Sequence, residues 1–123
     1  MTSRLPGTIF VAGHSGLVGS AITRRLVADG SDVLTVDRSA LDLIDQSAVT
    51  GFLARSRPDA IIIAAAKVGG IRANATRPAE FIYENLAIAT NLIHAAHQAD
   101  IDRVLFLGSS CICLLYTSDA ADD

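Results

Sequence analysis

Apolar residues fall into four short runs along the chain, separated by stretches in which they recur every three or four positions. The runs at Thr8–Ala12, Val33–Val36, Ala60–Ala65 and Val104–Leu107 have the length and the β-branched content of strands. The first intervening stretch predicts a helix over Leu17–Asp29, with Val18, Ala21, Ile22, Leu26 and Val27 inward, Thr23, Arg24, Arg25 and Asp29 outward, and Gly30 as a left-handed stop. Asp45 suits the N-cap of a second helix, which runs through Phe52 and Leu53 and ends before Pro58. Pro78 suits the first turn of a third and longest helix, to Gln98, with Ile82, Leu86, Ala89, Leu92, Ile93 and Ala96 on its apolar period. Ala60–Ala65 is apolar throughout, which suits a strand covered by helices on both faces of a parallel sheet. The alternation predicts an α/β fold: one half of a doubly wound, Rossmann-like parallel sheet, in spatial order 3-2-1-4.

Composition narrows the class. A chain of 123 residues, half of them hydrophobic and 19% charged, has enough apolar material for one core. Ten basic residues against thirteen acidic ones leave no basic footprint for nucleic acid, and three of the acids, Asp119, Asp122 and Asp123, lie in the last five positions. No apolar run approaches membrane-spanning length and no secretory leader is visible, so a cytoplasmic location is expected. Cys111 and Cys113 are too close for an ordinary disulfide, and no second cluster of ligands accompanies them, so no metal site is expected.

The candidate chemistry begins where the first strand breaks into glycines, at Gly13-His14-Ser15-Gly16-Leu17-Val18-Gly19. A strand, a glycine turn and a helix start present backbone N–H donors to a phosphate group. Gly13 can take the turn, Gly16 clears room for a pyrophosphate, and Gly19 allows close helix packing. In an open parallel sheet, ligands lie beyond the carboxyl ends of the strands, which adds Asp37-Arg38, Ala64, Ala65 and the segment from Gly108 to Cys111 to the same crevice. Asp37 can accept a hydrogen bond from an adenosine ribose, favouring NAD, whereas Arg38 can hold a 2′-phosphate, favouring NADP; the alternative for the pair is a solvated turn. Asp42 and Leu43 can face an adenine base, or Asp42 can be an exposed loop acid. Ser109 can hydrogen-bond a substrate carbonyl and Cys111 can exchange a proton on carbon, against the alternative of a polar strand end and an inert thiol. Lys67 lies in a glycine-rich loop and suits either a phosphate contact or solvent. His94 and His97 suit a helix surface. Neither Tyr83 nor Tyr116 is followed by lysine four positions later, so no Tyr-x-x-x-Lys pair is present.

Several strings together resemble one family: Phe10 to Ile22, Ala64-Ala65-Ala66-Lys67-Val68-Gly69-Gly70-Ile71, Phe81 to Leu86, His94 to Gln98, and Phe106-Leu107-Gly108-Ser109-Ser110-Cys111-Ile112. They are similar to the GDP-L-fucose synthase family of extended short-chain dehydrogenase/reductases. The resemblance implies an enzyme that epimerises GDP-4-keto-6-deoxy-D-mannose at C3 and C5 and reduces it at C4 with NADPH. It implies that Gly13 to Gly19 hold the pyrophosphate of NADP(H), with NAD the less expected cofactor, and that Arg38 lies near the adenosine phosphate. Ser109 would polarise the 4-keto oxygen and Cys111 would act as acid/base. The partner implied is a GDP-sugar, and the parent enzyme is expected to be a homodimer. The chain departs from the family at Ser15, where an arginine is usual, and at the acid Asp37.

The resemblance covers about Thr8 to Ile112, so residues 1–112 are expected to be the first part of the cofactor domain. The family continues with Tyr-Pro and later supplies the Tyr-x-x-x-Lys pair, whereas here Cys113-Leu114-Leu115-Tyr116-Thr117-Ser118 resembles a translated sequencing adapter. Residues 113–123 are therefore expected to be a non-native tail, and the chain alone is expected to be inactive. Two other functions fit the residues: a stand-alone, non-catalytic dinucleotide-binding module, and a related NAD-dependent nucleotide-sugar epimerase or dehydratase.

Overall fold

The computed structural model describes residues 7–65 and 76–108. The leader 1–6, the loop carrying Lys67, and residues 109–123 lie outside them, and with these the expectations for Ser109, Cys111, Cys113, Tyr116 and the tail. The elements follow the predicted alternation: β1 (Thr8–Ala12), α1 (Leu17–Ala28), β2 (Asp32–Leu34), α2 (Gln46–Ser56), β3 (Ala60–Ile63), α3 (Pro78–Gln98) and β4 (Val104–Phe106). All strand pairs are parallel. The fold is α/β and Rossmann-like.

The spatial order is β2-β1-β3-β4, which corrects the expected 3-2-1-4. The reason lies in β3. Each of its residues is buried, so it needs a paired neighbour on each side and helices above and below. It lies between β1 and β4, in register Phe10↔Ile61 and Ile61↔Val104. The edge beside β1 falls instead to the short β2, which opens on the exposed Asp32. The connection through α2 thus crosses over β1. From the central pair, β1 leads outward to β2 and β3 leads the other way to β4, so the reversal of strand order falls between β1 and β3.

Alternation along β1 splits the core into two layers. Ile9 and Val11, with Ala60 and Ile62, meet Ile22 and Leu26 of α1. Phe10 and Ala12, with Ile61 and Ile63, meet Val49 and Leu53 of α2 and Ile88, Leu92, Ala95 and Ala96 of α3. Phe10 also stacks obliquely on Phe52, with ring centroids 5.0 Å apart. α2 begins as expected, with Asp45 Oδ1 accepting the Ala48 N–H at 3.1 Å. After α1 the chain turns through Gly30 at φ +80°, where the Gly30 and Ser31 N–H groups close on the carbonyls of Val27 and Leu26.

Two helix faces differ from the expectation. On α1 the sheet takes Ile22 and Leu26, with Gly19 buried and Thr23, expected outward, half-buried, leaving Val18, Ala21 and Val27 exposed. The short strands beneath it offer a surface wide enough for a single stripe. On α3 the inward stripe is Ile88, Leu92, Ala95 and Ala96, whereas Ile82, Leu86 and Ile93 are exposed. That helix is apolar on two sides, and periodicity alone does not say which one the sheet covers.

Candidate functional site

At the carboxyl end of the sheet, around the reversal between β1 and β3, lies a cavity of about 340 Å³. Its floor is Ala12 and Gly13 from the end of β1, with Ala64 and Ala65 following β3. One side is the turn His14-Ser15-Gly16, and the other is formed by Val36, Arg38, Leu41, Asp42, Leu43 and Ile44, which follow β2. Glu84 and Ile88 of α3 complete it.

The three glycines have different reasons to be glycine. Gly13 has φ +88°, and a Cβ there would stand 2.6 Å from the backbone N and Cα of Ala65. Gly19 lies so close to Gly13 that a side chain would meet its carbonyl oxygen. These two let the helix and both strands converge. Gly16 is unlike them: its φ of −74° and ψ of 173° suit any residue, and the nearest atom to an added Cβ, the Gly13 carbonyl oxygen, is 3.6 Å away. Among the described residues nothing forbids a side chain at Gly16, so the space it leaves there is available to a ligand.

Gly16 is also the N-cap of α1. It supplies no side-chain cap, and no acidic residue occupies the first turn. Partial positive charge at this helix end therefore faces the glycine turn with no acid of the helix's own first turn against it. Backbone bonds hold the turn itself, from Gly16 N–H to the Gly13 carbonyl at 3.2 Å and from Ser20 N–H to the Gly16 carbonyl at 2.8 Å. A compact anion over this turn and a flat apolar ring against Val36, Leu41, Leu43 and Ile44 fit the residues present, which is the layout of a dinucleotide.

Of the residues expected from sequence, Gly13, His14, Ser15, Gly16, Arg38, Asp42, Leu43, Ala64 and Ala65 come together around this one cavity. Leu17, Val18 and Gly19 do not line it; Leu17 is 91% exposed on the outside of α1. Asp37 stands beside the lining, its Oδ1 3.6 Å from His14 Nε2. Asp42 shapes the loop, for its Oδ1 accepts the Ile44 N–H at 3.0 Å. Because β4 runs parallel to β3, with Leu107 N–H bonded to the Ile63 carbonyl, Leu107 and Gly108 leave the sheet at the same edge, two strands from β1. Ser109 and Cys111 lie outside the described residues.

Val36, Leu41, Ile44, Glu84 and Ile88 of the lining are not legible as site residues in the sequence, nor is a residue that supports the lining from outside. Asn91 of α3 donates through Nδ2 to the carbonyls of Leu43 and Ile44, at 2.9 and 3.0 Å, and ties the loop after β2 to the helix. The signal was an amide among the apolar positions Ile88, Leu92 and Ala95, where a polar group needs partners.

Residues 9–116 match the model of the NAD dependent epimerase/dehydratase family. The chain belongs to that family. Within the epimerase/dehydratase family it is similar to the GDP-L-fucose synthase of Escherichia coli strain K12, at 55% identity over 105 residues, 85% of this chain and 33% of that protein. Among solved structures it is similar to DdhaC, with TM-score 0.82 and 45% identity over 85% of this chain and 30% of that one. It is similar also to the GDP-mannoheptose C4 reductase MlghC of Campylobacter jejuni, a structure with NADP bound, with TM-score 0.80 and 32% identity over 87% of this chain and 32% of that one. The chain thus spans about a third of the length of these epimerase/dehydratase relatives.

Proposed function

We propose that this chain is the cofactor-binding part of an NADPH-dependent epimerase/reductase that converts GDP-4-keto-6-deoxy-D-mannose to GDP-L-fucose. The observation that carries the dinucleotide half of this reading is Gly16, a glycine that the backbone does not require, at the uncapped start of α1. The likeness to the Escherichia coli GDP-L-fucose synthase supports the substrate.

In this reading the N–H groups of the turn after Gly13 receive the pyrophosphate, and the apolar loop held by Asn91 receives the adenine. Arg38 pairs with a 2′-phosphate. The bound nicotinamide supplies hydride chemistry. Ser109 donates a hydrogen bond to the C4 carbonyl oxygen, which acidifies the hydrogens on C3 and C5, and Cys111 serves as the acid/base on one face of those carbons, the inversion requiring a second proton-transfer group on the opposite face. A single carbonyl-binding group thus serves both the epimerisation and the reduction.

No helix among the described residues is long and apolar enough to cross a membrane, and a cytoplasmic enzyme suits a nucleotide-sugar substrate. The exposed stripe Ile82, Leu86 and Ile93 on α3 supports a homodimer for the parent enzyme. The test compares the 123-residue chain with the same sequence extended to the length of its relatives. The short chain binds NADPH without turnover, and the extended one oxidises NADPH in the presence of the 4-keto sugar nucleotide. In deuterated water the extended enzyme places deuterium at C3 and C5, and Cys111→Ser abolishes this exchange while NADPH binding persists. An extended protein that binds NADPH but leaves this sugar nucleotide unchanged overturns the substrate reading.

A further inference from the structure

The phosphate turn carries one side chain of the type that changes charge near neutral pH. His14 stands between Gly13 and Gly16 and lines the cavity. Its side chain is 25% exposed, and its Nε2 reaches toward the end of β2, 3.6 Å from Asp37 Oδ1. That distance suits an ion pair between a protonated ring and the carboxylate, and is long for a direct hydrogen bond. The backbone at Asp37 is held in place, because its carbonyl accepts the N–H groups of Ala40 and Leu41, at 2.9 and 3.0 Å. The ring thus spans the stretch between the phosphate turn and the apolar loop, which a dinucleotide laid from Gly16 to Leu41 and Leu43 has to cross.

Charge decides what the ring does there. A pyrophosphate carries a negative charge on each phosphate. Among the described residues that line the cavity, Arg38 is the one fixed cation, and the 2′-phosphate engages it; against it stand Asp42 and Glu84, with Asp37 beside them. The start of α1 adds only partial positive charge. A proton on His14 is the charge that these residues can still gain without a rearrangement. A protonated ring keeps Asp37 on one side and meets the anion on the other. The remaining histidines, His94 and His97, are exposed on α3 and line a separate hollow with Ala89, Thr90 and Ile93.

We infer that the cavity takes up a proton at His14 when the dinucleotide binds, so that affinity rises as the pH falls. This rests on the dinucleotide reading of the cavity and deepens it. The sign follows from linkage. A ligand that binds the protonated protein more tightly draws a proton from the buffer, and the fraction drawn equals the slope of log affinity against pH, with affinity higher on the acid side. A unit charge a few ångströms from a phosphate in a partly exposed site changes affinity by about tenfold.

The experiment is isothermal titration calorimetry of the 123-residue chain with NADP⁺ at one ionic strength, between about pH 8 and about pH 5.5. Two buffers of different ionisation heat count the protons taken up. The 2′-phosphate titrates in this range as well, so the reading is the difference between wild type and His14→Gln, in which that contribution is common. On going to the acid end, wild-type affinity gains about tenfold more than that of His14→Gln, and the wild type takes up the larger fraction of a proton. His14→Arg, with a fixed charge, binds at about pH 8 as tightly as the wild type does in acid, and loses the extra slope. The double variant His94→Gln/His97→Gln keeps the wild-type slope. Thermal midpoints without ligand establish that each variant is folded. Equal slopes and proton counts in wild type and His14→Gln, or a slope lost in the His94→Gln/His97→Gln protein instead, overturn the inference and leave the dinucleotide site standing. A folded wild-type chain that binds NADP⁺ at no pH overturns both.

Discussion

Gly13 and Ala65 lie so close together that a Cβ on Gly13 would stand 2.6 Å from the Ala65 backbone. This approach joins the ends of β1 and β3 where the order of the sheet reverses. Gly13→Ala meets both a positive φ and a backbone atom that cannot swing aside. It destabilises the fold by on the order of 2–5 kcal/mol, from strain and overpacking together. Urea denaturation monitored by circular dichroism measures the loss.

Gly16→Ala has the opposite signature. The backbone accepts alanine without strain, and the nearest atom to the new methyl group is 3.6 Å away. Stability stays within about 1 kcal/mol of the wild type, because the lost freedom of the unfolded chain is offset by the poorer fit of alanine at the N-cap of α1. The methyl group occupies the approach to the turn, and dinucleotide affinity falls by about tenfold or more. Titration beside a urea curve separates this variant from Gly13→Ala, which loses stability first.

The contrast between those glycines marks how far the sequence could be followed. The spacing of Gly13, Gly16 and Gly19 announced a turn between strand and helix, and the structure has it, but only the space around each residue separates the two that the fold requires from the one that it does not. The helices were legible because their periods are long and their ends carry Asp45, Gly30 and Pro78. Strand order was harder, since lateral position is a long-range choice. The full burial of β3 points to a central strand, and its apolar run already implied cover on both faces. The outward stripe of α3 is not legible in the sequence because Leu86 and Leu92 are equally apolar and differ only in what stands opposite. The role of Asn91 is not legible either, because its partners, the carbonyls of Leu43 and Ile44, lie 48 and 47 residues away.

Asn91 supports the loop after β2 from outside the cavity. Asn91→Leu keeps the helix and a similar volume but strips two half-buried carbonyls of their donor. The expected cost is about 1–3 kcal/mol. Amide exchange quickens over Leu41–Asp45 more than in β1 or β3, whose ladders do not depend on this bond. Dinucleotide affinity falls with the loosening of the loop. Exchange measured by mass spectrometry, with titrations alongside, tests both parts.

Helix α3 turns a second apolar stripe outward: Ile82 is 60% exposed, Leu86 59% and Ile93 48%. Three large side chains at helical spacing on one exposed flank make a contiguous patch of the kind that pairs with another surface. Val104, Leu105 and Phe106 on the outer strand β4 add more exposed apolar area and a row of backbone groups. The chain is therefore expected to self-associate as its concentration rises. Leu86→Glu places a charge in the middle of the α3 stripe, and the cost of burying it opposes association there. It leaves stability within about 0.5 kcal/mol, because Leu86 packs on nothing in the core. Sedimentation velocity should shift toward the monomer for Leu86→Glu and remain unchanged for Arg24→Glu, a charge reversal on the exposed face of α1. If both variants sediment as the wild type does, association runs through β4, and a lysine at Leu105 becomes the substitution that disperses it.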